Sequence, residues 1–528
     1  MKVKICYLPE FCTDKKEGYP KEPARLPLVS LPVIKSFLEK YGFKVSQDDL
    51  DIKVFNSSKQ SGHPVDMSLF DDPARIAGYI RTGNDEQLEE HALRILSLTD
   101  WKGYDIFACA PISCWTLAPL GAAIVMSGII REKYDIPIIL GGALFKESIA
   151  GVPIAKTGCF DIICFTNHYE FCKLLLYLDG RMPKKELCSE IIFNREFSPD
   201  QKETIKGYPA THKDPEVLFP VPDFDGLPLD LYRYVPQDIL DNGISQKKLL
   251  VLPYFHIYGC PNKCIFCKDS HINHFFVKDP EQVADDLTYL SRKYRTRCFV
   301  FSNTSINPTY RHALDFADTI IRKNLDLLWF DCATFNNLDA KLLSKLHQSG
   351  ARRLVYGLEC ASPAMQGFLE KNVVLPDAQA VLTAAHKLGI WNEIEVICGL
   401  PHEKDSDLKA SLDFLRRNKQ TINFFYLTKF YLTGSRMLQN PARYGIANIR
   451  PAGNGEGMAF DEIDGLKWKD KKMQQDASYR TYEQLRRDVI SPGLDLSAMH
   501  FYKLFYLYTV FDSKSEIMDY VSANGWGL

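Results

Sequence analysis

The sequence predicts an α/β protein with two consecutive parallel-sheet domains and a mainly helical C-terminal segment. Apolar strand patterns alternate with helical patterns twice along the chain, and this alternation is typical of parallel sheets. A segment with three prolines, residues 219–234, separates the two series and is predicted to be an ordered linker. The 528 residues are enough for about three domains, each with its own core.

The first series has the pattern of an open parallel sheet. Strands are predicted at residues 2–8, 104–112, 136–142 and 160–165, and helices at 30–41, 117–133 and 170–178. The polar, Gly- and Asp-rich stretch 55–86 is predicted to be an insertion between these elements. Ligands of such sheets bind at the carboxyl ends of the strands, so we expect a binding site there.

The second series predicts a barrel or partial barrel, because five or six strand–helix units follow one another without a separate nucleotide-binding motif. Strands are predicted at residues 249–255, 298–302, 351–359, 394–401 and 422–430, and helices at 281–293, 339–348, 377–388 and 404–418. Two more helical patterns lie at 478–489 and 496–521. The predicted domain boundaries are 1–180, a linker at 181–245, a barrel at 246–435 and a mainly helical domain at 436–528.

Composition excludes several broad classes of protein. The chain is 46% hydrophobic and 25% charged, which argues against extended disorder. The net charge of -2 gives no field toward nucleic acid or an anionic membrane. No signal peptide opens the sequence and no apolar run approaches the roughly 20 residues of a membrane helix, so we expect a soluble, cytoplasmic protein. The 15 scattered cysteines indicate reduced thiols rather than a disulfide scaffold.

Three cysteines lie close together in the loop after the first barrel strand. Cys260, Cys264 and Cys267 have C-x3-C-x2-C spacing, which lets three thiolates converge on one centre. A structural zinc site normally needs four ligands, and His256 or His271 could supply the fourth. An iron–sulfur cubane that leaves one iron open fits three ligands better. Chance clustering of core cysteines is disfavoured because the loop also contains lysine and asparagine.

This loop resembles the C-x3-C-x-aromatic-C motif of the radical S-adenosylmethionine (SAM) superfamily, with Phe266 at the aromatic position. The resemblance implies a [4Fe-4S] cluster on the three cysteines, with the open iron binding the amino and carboxylate groups of SAM. It also implies a 5′-deoxyadenosyl radical that removes hydrogen from an unactivated carbon, chemistry that the cofactors supply. An electron donor such as flavodoxin or ferredoxin is implied as a partner.

Later parts of the barrel resemble the same family. LVYGLECAS is similar to a Gly-x-Glu-Ser strand motif, which implies that Glu359 contacts SAM. ICGLPHE is similar to a Gly-Leu-Pro turn, which implies that Gly399 and Leu400 border the adenine. FLEKN places Lys371 where relatives often have lysine. The second strand, often acidic in relatives, reads FSNTSINP here, which leaves its contact with substrate open.

The first domain resembles the Rossmann-like cobalamin-binding domain that precedes many such barrels. The resemblance lies in LPLVSLPVIKSFLEKYGFKV, YDIFACAPISCWTLAP, IPIILGGALF and FDIICFTNHYEF. It implies that Ser113 and Thr116 offer hydroxyls to the corrin amides and that Gly141 and Gly142 allow the nucleotide tail to approach. Glu170 stands where relatives tend to have a Gly-Glu-Gly-Glu turn, most of which is replaced here. The alternative is a sheet retained as a scaffold without a ligand.

The sequence lacks the Asp-x-His-x-x-Gly motif that supplies a lower histidine ligand to cobalt. We therefore expect any cobalamin to bind with its base displaced and without a histidine from that motif. The resemblance implies a cobalamin-dependent radical SAM enzyme that methylates an unactivated carbon of a small molecule or natural product. Two alternatives stay open: a ring-closing or rearranging enzyme with the same cofactors, and a zinc-stabilised protein without catalysis.

Overall fold

The computed structural model divides the chain into two compact units, Met1–Tyr234 and Val235–Leu528. It describes residues 1–9, 26–61, 64–110, 117–142, 148–149, 152–200, 202, 215–268, 275–452, 457–490 and 500–524. No helix among these residues is long and apolar enough to cross a membrane.

The first unit is built on a six-stranded sheet with the order β2-β1-β3-β4-β7-β8. All pairs are parallel except that of β8 with β7. The strands are β1 (Lys2–Tyr7), β2 (Lys44–Asp49), β3 (Ile106–Ala110), β4 (Ile138–Gly141), β5 (Ser148–Ile149), β6 (Val152–Pro153), β7 (Ile162–Cys164) and β8 (Ile191–Phe193). The helices are α1 (Ser30–Lys40), α2 (Leu50–Ser61), α3 (Pro73–Thr82), α4 (Glu86–Leu96), α5 (Ala118–Tyr134), α6 (His168–Leu178), α7 (Pro215–Leu218) and α8 (Leu229–Tyr232).

Helices cover both faces of this sheet. Successive side chains along a strand point to opposite faces, and here both sets of side chains are buried. In β1, Val3 and Ile5 pack toward α1 and α6, whereas Cys6 packs toward α2 to α5. The five parallel strands have the doubly wound order 2-1-3-4-5, in which a ligand binds at the carboxyl ends beside β1 and β3. The Rossmann-like architecture predicted for this part of the chain is therefore confirmed.

The stretch 55–86, predicted to be an insertion, is instead mostly helical. Asp72 and Asp85 are the N-caps of α3 and α4, and Gly83 is the left-handed C-cap of α3. The Gly and Asp residues that indicated a loop are thus helix ends, where these residue types are favoured.

The proline-containing segment packs against the edge of the first sheet. Gln47 on β2 donates hydrogen bonds from Nε2 to the carbonyls of Asp223 and Asp225, at 2.6 and 2.9 Å. Tyr232 donates its hydroxyl hydrogen to the buried Asp49 carboxylate. These contacts give the segment a fixed path, as the sequence predicted.

The second unit is built on a six-stranded, all-parallel sheet in sequential order. Helices follow the strands, as in a partial (β/α)6 barrel. The strands are β9 (Val251–Tyr254), β12 (Cys298–Phe301), β13 (Leu328–Ala333), β14 (Ala351–Glu359), β15 (Trp391–Cys398) and β16 (Phe424–Lys429). The helices are α9 (Gln237–Asp241), α10 (Pro280–Tyr294), α11 (Tyr310–Arg322), α12 (Ala340–Gln348), α13 (Pro363–Phe368), α14 (Leu375–Lys387), α15 (Asp405–Arg417) and α16 (Arg436–Gln439).

The C-terminal region is helical as predicted but also contains an antiparallel strand pair. The pair is β17 (Ile446–Pro451) with β18 (Met458–Glu462), and the helices are α17 (Trp468–Leu485), α18 (His500–Val510) and α19 (Lys514–Asn524). α17 begins at Trp468, before the predicted start at residue 478. The prediction missed its first turns because the buried face carries polar side chains, including Lys471, Gln475 and Ser478. Apolar periodicity could not indicate that face.

Candidate active site

The three-cysteine loop lies within a small hairpin. β10 (Ile257–Tyr258) pairs antiparallel with β11 (Phe276–Val277), and the loop runs between them. Thr304 donates a hydrogen bond from Oγ1 to the Gly259 carbonyl at 2.5 Å, which holds the loop's first turn. The Ile265 N–H donates to the Leu369 carbonyl and the Met437 N–H donates to the Ile265 carbonyl, both at 3.1 Å. Three separate parts of the barrel therefore fix this loop.

The three thiols share one electrostatic environment. Cys264 is 7% exposed, and Cys260 and Cys267 are half-buried. Burial raises the pKa of the Cys264 thiol to about 11, while the nearby Lys371 ammonium opposes the rise. Metal binding requires the thiolate form, which burial disfavours. A bound metal centre would stabilise the thiolate through its positive charge.

The structure argues against His256 as a zinc ligand. Its ring is fully buried and stacks on Phe316, with Phe301 and Tyr254 also in contact. Burial lowers its pKa well below the usual histidine value. Across the described ranges, which include the three cysteines of the loop, no three His, Cys, Asp or Glu side chains are grouped closely enough to hold a metal ion, so side-chain spacing does not distinguish zinc from an iron–sulfur cluster. The other candidate for a zinc site, His271, lies outside the described residues.

Glu359 and Lys371 form a buried ion pair beside the cysteines. Glu359 ends β14 with a left-handed φ of +64°, and its side chain is 6% exposed. The Lys371 ammonium contacts its carboxylate and lies 5.8 Å from the centre of the Phe266 ring. A Cβ at Gly357 would meet Lys371 Nζ and lie 2.7 Å from Glu359 Oε1. Only glycine therefore leaves room for the Glu359–Lys371 pair. The pair and the nearby Phe266 come from three separate family motifs, and the structure brings them together.

The Gly-Leu-Pro turn packs next to the same loop. Leu400 is fully buried in a cluster that contains Ile265 and contacts Phe266. Gly399 has φ +73°, and a Cβ there would collide with the side chain of Gln475 on α17. The Gly399 N–H donates to Glu403 Oε2 at 2.6 Å, and burial raises the pKa of Glu403 to about 7.

Long-range contacts with the C-terminal region support this turn. Gln475 donates from Nε2 to the carbonyls of Gly399 and Phe430, at 3.3 and 3.0 Å. Glu462 accepts a hydrogen bond from the His402 N–H at 2.8 Å and pairs with the fully buried Lys471 at 2.9 Å. These supporting residues were not identified from the sequence, since no local motif contains them.

A second group of ionisable side chains lies within the barrel. Arg353 on β14 pairs with Glu393 on β15 and donates to the Tyr426 hydroxyl at 2.7 Å. Glu395, two residues farther along β15, is exposed even though β15 is otherwise mostly buried. The sequence contains an indication of this group that was overlooked, because Glu393 and Glu395 are two positions apart and therefore lie on the same face of a mainly apolar strand.

The non-acidic residues at the end of the second barrel strand, β12, have a structural role. Ser302 is exposed, but Asn303 is buried and its Oδ1 accepts hydrogen bonds from the N–H groups of His256 and Ile257, at 2.9 and 3.0 Å. Asn303 Nδ2 donates to Asp331 Oδ2 at 2.8 Å. Asn303 therefore anchors the start of the cysteine loop.

In the first unit, the structure places only part of the predicted cobalamin-binding set. Gly141 ends β4, and Gly142 follows with φ +116°. Glu170 lies in the first turn of α6 and pairs with Lys173 at 2.9 Å. Ser113 and Thr116 lie outside the described residues, as do the chain segments that follow β1 and β3 at the expected ligand edge.

Most other cysteines among the described residues are buried in the core. Cys109, Cys164, Cys298 and Cys398 are all buried in strands. Cys332 is half-buried on β13, and its pKa is raised to about 12, first by burial and then by the charges of Asp331 and Glu395, while Arg353 opposes the rise. It therefore lies close to the ionisable group within the barrel.

Comparisons with known proteins agree with this geometry. Residues 254–415 match the model of the radical SAM superfamily, which confirms the predicted radical SAM domain. The uncharacterized methyltransferase PH0819 of Pyrococcus horikoshii is 24% identical over 382 residues, covering 62% of this chain and 79% of that protein.

Two solved structures share the fold across nearly the whole chain. One is the radical SAM methyltransferase TsrM from Kitasatospora setae, solved with cobalamin and a [4Fe-4S] cluster; it has a TM-score of 0.58 at 14% identity, over 94% of this chain and 92% of TsrM. The other is the cobalamin-dependent SAM radical enzyme OxsB, solved with aqua-cobalamin and SAM; it has a TM-score of 0.56 at 15% identity, over 99% of this chain and 71% of OxsB. At these identities the likeness establishes the fold.

Proposed function

We propose that this protein is a cobalamin-dependent radical SAM methyltransferase that methylates an unactivated carbon of a small molecule. The observation that carries the proposal is the convergence of the cysteine loop, Phe266 and the Glu359–Lys371 pair at the carboxyl end of a radical SAM barrel. A doubly wound sheet precedes that barrel along the chain, and TsrM and OxsB are similar in fold over most of this chain.

The donor set fits an iron–sulfur cluster better than zinc. Cys260, Cys264 and Cys267 supply three thiols, whereas the ring of His256 is buried and stacked on Phe316. Three thiolates with one open position match a [4Fe-4S] centre that binds a further ligand. With SAM, such a centre supplies the reducing electron and the radical chemistry.

The chain's own residues would position and shield the cofactors. Phe266 offers an apolar face beside the loop. It packs against the hydrophobic cluster that contains Leu400, and this apolar packing excludes water. Glu359 is held by Lys371 in one orientation, so its carboxylate can accept hydrogen bonds from a ribose without rearranging. The backbone of Gly399 is fixed from α17, which gives the adenine a rigid border.

The doubly wound order of the first sheet supports cobalamin binding at its carboxyl edge. Gly141 and Gly142 lie at that edge and offer backbone without side chains. Glu170 pairs with Lys173 through Oε1, while its Oε2 is buried without a hydrogen-bond partner among the described residues, so this carboxylate can still accept a hydrogen bond from a corrin amide. Tryptophan is the substrate in one TsrM structure, and we propose a small molecule of comparable size here.

Anaerobic reconstitution tests the proposal without knowledge of the substrate. We expect about four irons per chain, bound cobalamin and, on addition of SAM and a strong reductant, S-adenosylhomocysteine together with methylated cobalamin. Formation of 5′-deoxyadenosine without S-adenosylhomocysteine would instead favour ring closure or rearrangement. A colourless protein that binds zinc would refute both.

A further inference from the structure

The side chain of Glu395 is exposed inside a barrel whose neighbouring positions are mostly buried. Of the eight residues in β15, Glu395 is the exposed one. Its neighbours in register are Gly357 on β14 and Tyr426 on β16. Because Gly357 lacks a side chain, the space beside Glu395 receives the ammonium of Lys371 and the carboxylate of Glu359.

Each nearby cation is already matched with another carboxylate. Lys371 contacts Glu359, and Arg353 contacts Glu393. Within the described part of the chain, Glu395 forms neither a hydrogen bond nor an ion pair, so it is the surplus negative charge of this group. Although the side chain is accessible, the surrounding protein partly removes it from bulk water, and this desolvation, followed by repulsion from Glu359, raises its pKa.

An accessible side chain surrounded by protein on most sides must face an internal space. A carboxylate in such a space lacks the full solvation of bulk water, and the loss is recovered when a cation binds beside it. The two ion pairs leave no protein cation to fill this role. Either a proton, as the raised pKa indicates, or a cation on a bound molecule can therefore balance the charge of Glu395.

We propose that Glu395 recognises the positive charge of the SAM sulfonium. The inference rests on the proposed function, because the sulfonium is the cation that every proposed reaction brings into the barrel. Both uses of SAM end with a neutral sulfur, in methionine or in S-adenosylhomocysteine. Glu395 therefore favours the intact cofactor over its spent forms and promotes their release.

Binding measurements on the anaerobically reconstituted holoenzyme test this assignment. Equilibrium dialysis gives the dissociation constants of SAM and of S-adenosylhomocysteine, which differ in the charge on sulfur. We expect Glu395→Gln to weaken SAM binding about tenfold and S-adenosylhomocysteine binding less than about twofold, because only the sulfonium loses a charge partner. Glu395→Asp should retain part of the preference.

A matched control removes an exposed carboxylate elsewhere in the second unit. Asp405→Asn, in the first turn of α15, should leave both constants unchanged. Equal weakening of both ligands by Glu395→Gln would indicate a structural role and overturn the assignment, as would unchanged SAM binding. If the wild-type protein carries its irons yet binds no SAM, the proposed function itself fails, so the two failures are distinguishable.

Discussion

Replacing Glu359 by glutamine should strongly destabilise the barrel. The carboxylate is 6% exposed and its partner Lys371 is 12% exposed, so the variant leaves an ammonium in a site with little water. Breaking a buried pair on one side costs about 3–5 kcal/mol. Glu395 lies nearby and compensates part of the charge, so we expect about 3 kcal/mol. For a domain of this size, the melting temperature should fall by roughly 6–12 °C.

Calorimetry on the full chain, with the transition of the second unit assigned separately, measures this effect. The matched control is Glu370→Gln, because Glu370 is half-exposed and pairs with Arg436 at 2.7 Å. A partly solvated pair is worth less than about 1 kcal/mol, so its loss should shift the melting temperature by only a few degrees.

A double variant separates charge from packing. Glu359→Gln combined with Lys371→Met removes both charges and should recover much of the lost stability, because no uncompensated ion remains. If Glu359→Gln costs no more than Glu370→Gln, or if the two changes at the buried pair simply add, the ion pair is not what stabilises this part of the barrel.

Three further predictions concern the cluster, the cofactor and pH. Cys264→Ser should reconstitute with well under half of the roughly four irons, whereas the half-buried Cys159→Ser should retain them, as an iron assay would measure. Gln475→Ala should weaken SAM binding about tenfold in equilibrium dialysis because the Gly399 carbonyl loses its support, whereas the exposed Met473→Ala should not. Burial lowers the pKa of Lys514 to about 7, so the unfolded chain holds a proton that the folded chain lacks above that pH. The free energy of unfolding of the wild type, relative to that of Lys514→Met, should therefore rise between about pH 7 and 10, by at most about 1.4 kcal/mol per pH unit, as measured by chemical denaturation. A difference that does not change with pH would contradict the lowered pKa of Lys514.

The cysteines and barrel motifs could be identified from the sequence because each is a local pattern. Cys260, Cys264 and Cys267 lie within one loop, and Glu359 ends a strand that is apolar throughout most of its length. The supports of these residues could not be found this way. Gln475 contacts Gly399, which is 76 positions away in the sequence, so no local motif contains both. Lys471 is fully buried, whereas lysine side chains are usually exposed.

Secondary structure was missed for related physical reasons. β2 carries buried polar side chains, including Gln47 and Asp48, so it does not alternate as an ordinary strand does. β8 has three residues, too few for a periodic signal. In both cases tertiary contacts determine the element, and local sequence preference contributes little.

The contacts of Asn303 show why an amide suits a position where the family resemblance implied an acid. Its side chain accepts two backbone hydrogen bonds from the loop and donates one to the buried Asp331. A carboxylate could accept from the loop but would face Asp331, whose pKa burial already raises well above the usual range. Two carboxylates at that distance cannot both ionise without a large cost. An amide makes both contacts without a charge, so Asn303 serves as the anchor of the cysteine loop, and the carboxylate within the barrel that has no partner among the described residues is that of Glu395 on β15.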